Sequence, residues 1–369
     1  MRIQRLQYYG GRTMWMKSLS VKIGAVLCGL LTCGVLFALE LTAPADRAEL
    51  PLLRADWKER IAERSKRPRV SVSEWGPEDR LDRPQAAVFS WNGQPDREYT
   101  LEIARDREFR SPVLNMTVTG CSAEVVNLET GRTYFWRVRA GEELSGVRTF
   151  TTGGDAPRFL RVPGGIPVNF RDAGGKKTAD GRRTRQGMIF RGSDMNLSFH
   201  IKPEGIRFMR DELGIRTDLD LRYPNQTSRF KASPLGDDVK WVLRPVNAYK
   251  SFTPDQNDLF RDTIKIFADR ANYPIYVHCA AGVDRTGEII FLLDMLLNVD
   301  EEQALLDYEA SSLSYYPRPR SIQYFANWLN TIRKMSPEGT PRAQQVVNYL
   351  LKIGVTEEEI ASIRKIMLE

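Results

Sequence analysis

The pattern of apolar and polar positions changes character several times along the chain. Ile23 to Leu39 (IGAVLCGLLTCGVLFAL) is an uncharged run of 17 residues. A membrane span takes about 20 mostly apolar residues, with a lower limit near 17. Arg2, Arg5, Arg12, Lys17 and Lys22 precede the run, and no acid does. Two readings stay open: an uncleaved anchor over 23–42, or a signal peptide cleaved near Ala43-Pro44-Ala45. The basic lead over 1–22 is long for a cleaved signal and favours the anchor. The positive charge ahead of the run puts the lead in the cytoplasm and the rest outside. The protein is therefore expected at a membrane, facing the periplasm or exterior, or secreted if the signal is removed. Cys28 and Cys33 fall in the run and read as inert apolar fillers.

Residues 46–68 mix charges with sparse apolar positions and read as a solvated helical stalk. From 69 to 152 the period becomes two. Ala86–Trp91, Tyr99–Ala104, Val113–Val118, Ala123–Leu128 and Thr133–Ala140 alternate apolar with polar, and turn residues such as Asn92-Gly93 and Thr130-Gly131 separate them. Closely spaced strands without helical periods argue for a β-sandwich. In Thr133–Ala140, alternation puts Tyr134, Trp136 and Val138 on one face. Thr152-Gly153-Gly154-Asp155-Ala156-Pro157 reads as a linker.

Pro274 opens the most informative stretch. Ile275-Tyr276-Val277 is a short apolar run of the kind found in buried parallel strands. From Thr286 to Leu297 the chain is apolar on nearly every side, which predicts a buried helix. Between them lies Cys279-Ala280-Ala281-Gly282-Val283-Asp284-Arg285. A loop wrapped at a helix N-terminus points N–H groups inward and adds the helix dipole, which makes an anion site. Gly282 lets that loop bend. Arg285 can give two parallel N–H donors to two phosphate oxygens. The same field favours a thiolate at Cys279, a nucleophile facing a bound phosphate. A buried structural cysteine beside a surface arginine is the plainer alternative. The full string His278-Cys279-x-x-Gly282-x-x-Arg285-Thr286-Gly287 puts it behind.

That string resembles the signature of the cysteine-based protein tyrosine phosphatase superfamily, and within it the bacterial tyrosine and dual-specificity group. Asn169-Phe170-Arg171-Asp172-Ala173-Gly174-Gly175, then Phe190-Arg191-Gly192-Ser193, look like the group's N-F-R-D-x-G-G motif and the strand that follows. Tyr349 to Ile360, with Ile363-Arg364, resembles its closing helical pair. The resemblance covers about 161–369. It implies Cys279 as the nucleophile of a phosphocysteine intermediate and Arg285 as the phosphoryl ligand. Backbone N–H groups over Ala280, Ala281, Gly282, Val283, Asp284 and Arg285 would cradle the phosphate. Thr286 would stabilise the sulfur as a leaving group. His278 would steady the loop, with a plain core role equally open. Asp284 is the implied general acid, with Asp255 and Asp258 as runners-up that read more simply as N-caps of a helix over 259–268. Val283 stands where phosphoinositide-active members often carry Lys, which lowers the lipid reading. Arg182, Arg183 and Arg185 could supply charge instead, although a basic run usually marks a solvated turn. Arg171 and Asp172 read as a pair near the site, or as a plain ion pair. Asp218, Asp220 and Arg222 read mainly as structural.

The strands over 69–152 resemble a fibronectin type III domain, on Leu128-x5-Tyr134 and the closing Val147–Thr152. The expected fold class is therefore α/β: a tyrosine-phosphatase-like central sheet flanked by helices over 158–369, an all-β fibronectin type III-like sandwich, and an N-terminal membrane segment. Expected partners are a phosphorylated protein, peptide or inositol phosphate, the membrane, and a partner or polysaccharide for the sandwich. A spacer role for the sandwich is favoured over binding. An inositol-phosphate hydrolase, or a surface-binding protein with a degenerate phosphatase domain, are the alternative functions.

Composition narrows this further. Apolar residues make up 42% of 369 and charged residues 27%, which excludes a wholly disordered chain. Residues 1–45 hold +4 of the net +7, so the body carries only +3 and nucleic acid is not an expected partner. Four cysteines exclude a disulfide scaffold, and two histidines, His200 and His278, argue against a His-based metal centre. No metal or other cofactor is expected. A disulfide between Cys121 and Cys279 would close the site but would have to join different domains.

Overall fold

A computed structural model of the chain describes residues 39–64, 82–154, 157–250, 253–314 and 322–369. The expected membrane segment lies outside the described residues up to residue 38. Among the described residues no helix is long and apolar enough to cross a membrane.

Short alternating strands build the N-terminal half. In chain order they are β1 (Leu41–Ala43), β2 (Ala48–Leu50), then, after helix α1 (Trp57–Arg64), β3 (Ala87–Trp91), β4 (Glu98–Ala104), β5 (Pro112–Thr119), β6 (Ser122–Val125), β7 (Thr133–Ala140), β8 (Glu143–Leu144) and β9 (Arg148–Thr152). One sheet runs β1-β3-β6 and the other β2-β9-β7-β4-β5, with β8 on β7. Their inner faces share one core. Phe89 of the first sheet meets Trp136 of the second edge-on at 5.0 Å, and Tyr134 stacks on Phe150 at 5.2 Å. Such aromatic pairs add about 0.5–1.5 kcal/mol beyond their buried area. Tyr134, Trp136 and Val138 are all buried on the same face of β7, as the alternation requires.

The boundaries before the sandwich differ from the sequence reading. Leu41 and Thr42, read as the end of the membrane segment, lie in β1, which pairs with β3. Ala48–Leu50, read as stalk, is a strand parallel to β9. The stalk is not a solvated helix either. α1 buries Ile61 against Phe159, Ala310 and Leu313, with Leu53 beside it. Three-residue strands carry too few positions for alternation to be visible, and one buried stripe of α1 is diluted by seven charged neighbours over 54–64. The remainder of that segment, 65–81, lies outside the described residues.

The C-terminal half is a six-stranded sheet. Its strands are β10 (Arg158–Phe159), β11 (Arg171–Asp172), β12 (Ile189–Gly192), β13 (Thr217–Asp220), β14 (Lys240–Leu243) and β15 (Ile275–His278). The order is β10-β11-β12-β15-β13-β14, with the last four parallel and the first two joined antiparallel. The helices are α2 (Pro203–Arg207), α3 (Pro224–Thr227), α4 (Asn257–Lys265), α5 (Asp284–Leu296), α6 (Glu301–Glu309), α7 (Ala326–Lys334), α8 (Arg342–Lys352) and α9 (Glu357–Met367). β15 is buried on both faces. Ile275 and Val277 enter the core shared with α5, α8 and α9, and Tyr276 enters the core of Phe170, Phe190 and Met209. That explains its unbroken apolar run. Thr356 caps α9 reciprocally with Glu359, its hydroxyl accepting from the Glu359 N–H at 3.2 Å.

A polar seam joins the two halves. Gln186 accepts from the Thr130 N–H at 2.9 Å and donates to the Thr130 carbonyl at 2.9 Å. Arg158 donates to the carbonyls of Leu128 and Asn127, and the Asn127 side chain bonds the backbone N–H and carbonyl of Arg161. Arg132 pairs with Glu369.

Candidate active site

β15 ends at His278 in the middle of the parallel strands, flanked in register by Gly192 and Asp220. Ligands of parallel α/β sheets bind beyond the carboxyl ends of their strands, which is where the chain now turns. Gly282 makes the turn possible. Its φ is +68°, and a Cβ there would sit 2.1 Å from the Gly192 carbonyl oxygen. The loop therefore rests directly on the end of β12.

The loop carbonyls are held from outside. Ala280 O accepts from the Asp194 N–H at 3.0 Å. Asn169 Nδ2 reaches Ala281 O at 3.4 Å and Gly282 O at 3.0 Å, and Arg191 Nη2 also donates to Gly282 O at 3.0 Å. Across a trans peptide the N–H points opposite to the C=O. The N–H groups of Ala281, Gly282 and Val283 consequently point away from these supports, into the loop. The first turn of α5, starting at Asp284, adds its own N–H groups and dipole there.

Cys279 opens the loop and is 3% exposed. Burial pushes its thiol up, but the Arg285 charge and the hydroxyl and N–H of Thr286 outweigh that and hold it below its ordinary value. Arg285 is aimed by Leu221 O at 3.1 Å and Gln226 Oε1 at 3.2 Å, and its guanidinium stacks 4.6 Å from the Tyr223 ring. His278 Nδ1 lies 3.2 Å from Cys279 O, and its Nε2 lies 2.9 Å from Asp218 Oδ1. Burial lowers the affinity of the ring for a proton, but Asp220 and Asp218 raise it to about 9. His278 is thus a buried cation next to Cys279. Its carboxylate partners are themselves fixed: Arg222 grips Asp220 in a fork at 2.7 and 2.9 Å, and Ser233 donates to Asp218 at 2.7 Å. Asp218, Asp220 and Arg222 therefore do more than hold the strand. They set the charge of His278.

Asp284 sits in the first turn of α5. Tyr249 donates its hydroxyl to Asp284 Oδ1 at 2.7 Å and meets the Tyr308 hydroxyl at 2.6 Å, while its N–H bonds Glu288 at 2.6 Å. Burial, then the Asp284 charge, pushes the Tyr249 phenol well above its ordinary value, so it remains a donor. Asp255 and Asp258 bond their own neighbours instead. Asp255 meets Gln256 at 3.1 Å, and Asp258 meets Arg261 at 2.7 Å with its side chain 87% exposed. Neither caps a helix: the N-cap of α4 is Gln256.

Several supports were invisible in the sequence. Arg171 and Asp172 do not pair with each other, because successive strand residues face opposite sides. Arg171 binds Asp307 at 2.7 Å and Asn169 Oδ1 at 2.5 Å, while Asp172 binds Arg158 at 2.8 Å. Arg191 also binds Asp307, at 2.8 Å. Burial opposes ionisation of Asp307, but Arg171, Lys176 and Arg191 outweigh it and hold its carboxyl far below the usual range. Asn169 and Arg191 lie inside the motifs that carried the resemblance, so their presence was visible and their task was not. Asp307 and Tyr249 gave no signal at all. The basic run serves the fold: Arg182 pairs with Asp180, Arg183 bonds Gly154 O and Gly175 O, and Arg185 bonds Ile366 O and Leu368 O. Cys121 and Cys279 are both free thiols.

Residues 166–369 match the tyrosine phosphatase family. A Cupriavidus necator protein named as a putative tyrosine-protein phosphatase is 28% identical over 171 residues, 39% of this chain and 60% of the relative. The chain thus spans about three-fifths of that relative's length. Among solved structures, the core catalytic domain of the PP-IP phosphatase SIW14 from S. cerevisiae, in complex with citrate, is 22% identical, with 39% of this chain and 83% of that one covered and a TM-score of 0.28. A second structure of the Siw14 catalytic core gives 19% identity, coverage of 44% and 88%, and a TM-score of 0.27. The match takes in more than half of the chain and contains the whole loop from His278 to Gly287, and on that ground the chain belongs to the tyrosine phosphatase family.

Proposed function

We propose that this chain is a cysteine-dependent phosphatase that hydrolyses phosphomonoesters through a phosphocysteine intermediate, with phosphotyrosine in a protein or peptide as the preferred substrate. One observation carries the reading: a thiol of lowered pKa faces inward-pointing amides at the start of α5, with Arg285 and Thr286 acting on its sulfur. In the first step the Cys279 thiolate attacks phosphorus and the P–O bond to the leaving group breaks. Asp284 gives that oxygen a proton. The loop amides and Arg285 stabilise the charge on the transferring phosphoryl oxygens. In the second step water attacks phosphorus and Asp284 takes its proton. The S–P bond breaks and the thiolate is restored, with Thr286 stabilising the departing sulfur.

The burial of Cys279 supports an aryl phosphate, because a phosphorus carried on a ring reaches deeper than one on a serine side chain. Val283 is buried and apolar, so the loop brings no extra cation for a polyphosphorylated headgroup. The strand orders β1-β3-β6 and β2-β9-β7-β4-β5 support a fibronectin type III-like sandwich. The seam supports a packing role for it. The uncharged run after a basic lead supports an anchored, extracytoplasmic enzyme.

The test is hydrolysis of p-nitrophenyl phosphate by the full chain in chelator and reductant, beside Cys279→Ser. Turnover lost only in the variant supports the reading. A phosphotyrosine peptide and inositol hexakisphosphate then separate the substrate classes. A folded, reduced wild type without turnover would sink it.

A further inference from the structure

The catalytic loop is buttressed by a residue far outside the region that matches the family. Asp82 precedes the first long strand of the sandwich and is 2% exposed. Its Oδ2 accepts from the Asn169 N–H at 2.9 Å and from the Ser314 hydroxyl at 2.7 Å. Asn169 is the residue that holds the loop carbonyls of Ala281 and Gly282. It does so from a left-handed backbone, φ +56°, a conformation that costs an L-residue about 1–2 kcal/mol. A residue so poised needs its N–H direction fixed, and Asp82 fixes it. Ser314 ties the same carboxylate to the end of the segment that carries Asp307 and Ser311. Those two bind Arg171 at 2.7 and 3.0 Å, and Arg171 returns to Asn169. The connection from β2 to β3 grips that segment a second time, through Ile61 and Leu53 packed on Ala310 and Leu313.

We propose that Asp82 is a positioning residue for the phosphate-binding loop: it orients Asn169, which in turn turns the loop carbonyls outward and the loop amides inward. The connection between β2 and β3 is then a working part of the site. This rests on the reading of Cys279 as the nucleophile. The experiment therefore measures the loop without needing turnover.

In the full chain, iodoacetamide alkylation of Cys279 is followed by mass spectrometry of its peptide, against pH and against added vanadate. Loss of a buried hydrogen bond predicts about tenfold weaker vanadate protection in Asp82→Ala, with the alkylation profile moved to higher pH. Asp82→Asn keeps an acceptor oxygen for both donors and should stay within about twofold of wild type. Ser314→Ala, which frees one side of the carboxylate, should weaken protection about two- to threefold. If Asp82→Ala does not fold, Ser314→Ala carries the test. Melting temperatures that fall while protection and profile stay at wild-type values would overturn the proposal, because packing alone would explain them. A wild type that shows vanadate protection and a low alkylation profile but no phosphatase turnover would count against the proposed function and leave the positioning role standing.

Discussion

The charge on His278 gives the sharpest quantitative expectation. The ring is 1% exposed, and its Nε2 lies 2.9 Å from Asp218 Oδ1 and 3.9 Å from Asp220 Oδ1. Burial acts against protonation, and the two carboxylates overcome it to give a value of about 9. An unfolded chain holds histidine near 6.5, so the difference corresponds to about 3 kcal/mol of preference for the charged ring in the folded state. Since the folded value is the higher one, that stability is fully present below about pH 6.5 and is lost as pH rises through about 9. The perturbation is His278→Gln, made in a Cys279→Ser background. The background matters because a thiol of lowered pKa contributes in the opposite sense over the same range. Urea denaturation from about pH 6 to about pH 10 should show the parent losing about 3 kcal/mol more than the variant. Parallel curves for the two proteins would refute the reasoning. They would mean that Asp218 and Asp220 do not hold a proton on the ring.

Gly282→Ala places a Cβ 2.1 Å from a backbone oxygen at φ +68°, so left-handed strain and overpacking together should cost about 2–5 kcal/mol, read as a fall in melting temperature; an unchanged melting temperature would show that the loop does not rest on Gly192. Arg285→Lys replaces a planar fork by a point charge and should lower kcat about 10²–10³-fold with the fold intact, a loss that wild-type-like kinetics would contradict. Asp284→Asn removes the proposed proton donor and should lower kcat about 10²–10⁴-fold, a loss that unchanged kinetics would contradict. Tyr249→Phe removes a hydrogen bond of the Asp284 carboxylate and should lower kcat about tenfold, and an unchanged kcat would detach the tyrosine from that residue.

What the sequence disclosed follows from how far apart the cooperating residues lie. The catalytic string is contiguous, because strand, loop and helix start must follow one another to make the cradle. It could be read directly, down to the need for Gly282. The supports of that cradle are pairs such as Arg191–Asp307 and Asn169–Gly282, more than a hundred residues apart, and no local pattern links them. Asp218, Asp220 and Arg222 looked like strand punctuation because only the third dimension brings His278 between the carboxylates. Alternation located the long sandwich strands well, since five or more positions make a period of two visible. It failed for β1, β2 and α1, where burial of a few residues depends on partners elsewhere. Asp82 lay beyond any local argument.

The seam between the two halves also limits how this protein can vary. Gln186 addresses the N–H and carbonyl of Thr130, Arg158 addresses the carbonyls of Leu128 and Asn127, and Asn127 addresses the backbone of Arg161. In each case a side chain on one side reaches main chain on the other, and at Thr130 the hydroxyl adds a bond to Gln186 Oε1 at 3.2 Å. A change of side chain at Leu128 or Arg161 therefore leaves these bonds in place. A loss of Gln186 or Arg158 has no complementary exchange across the boundary that could restore it, so suppressors of such changes are to be sought in overall stability and not in the facing residue.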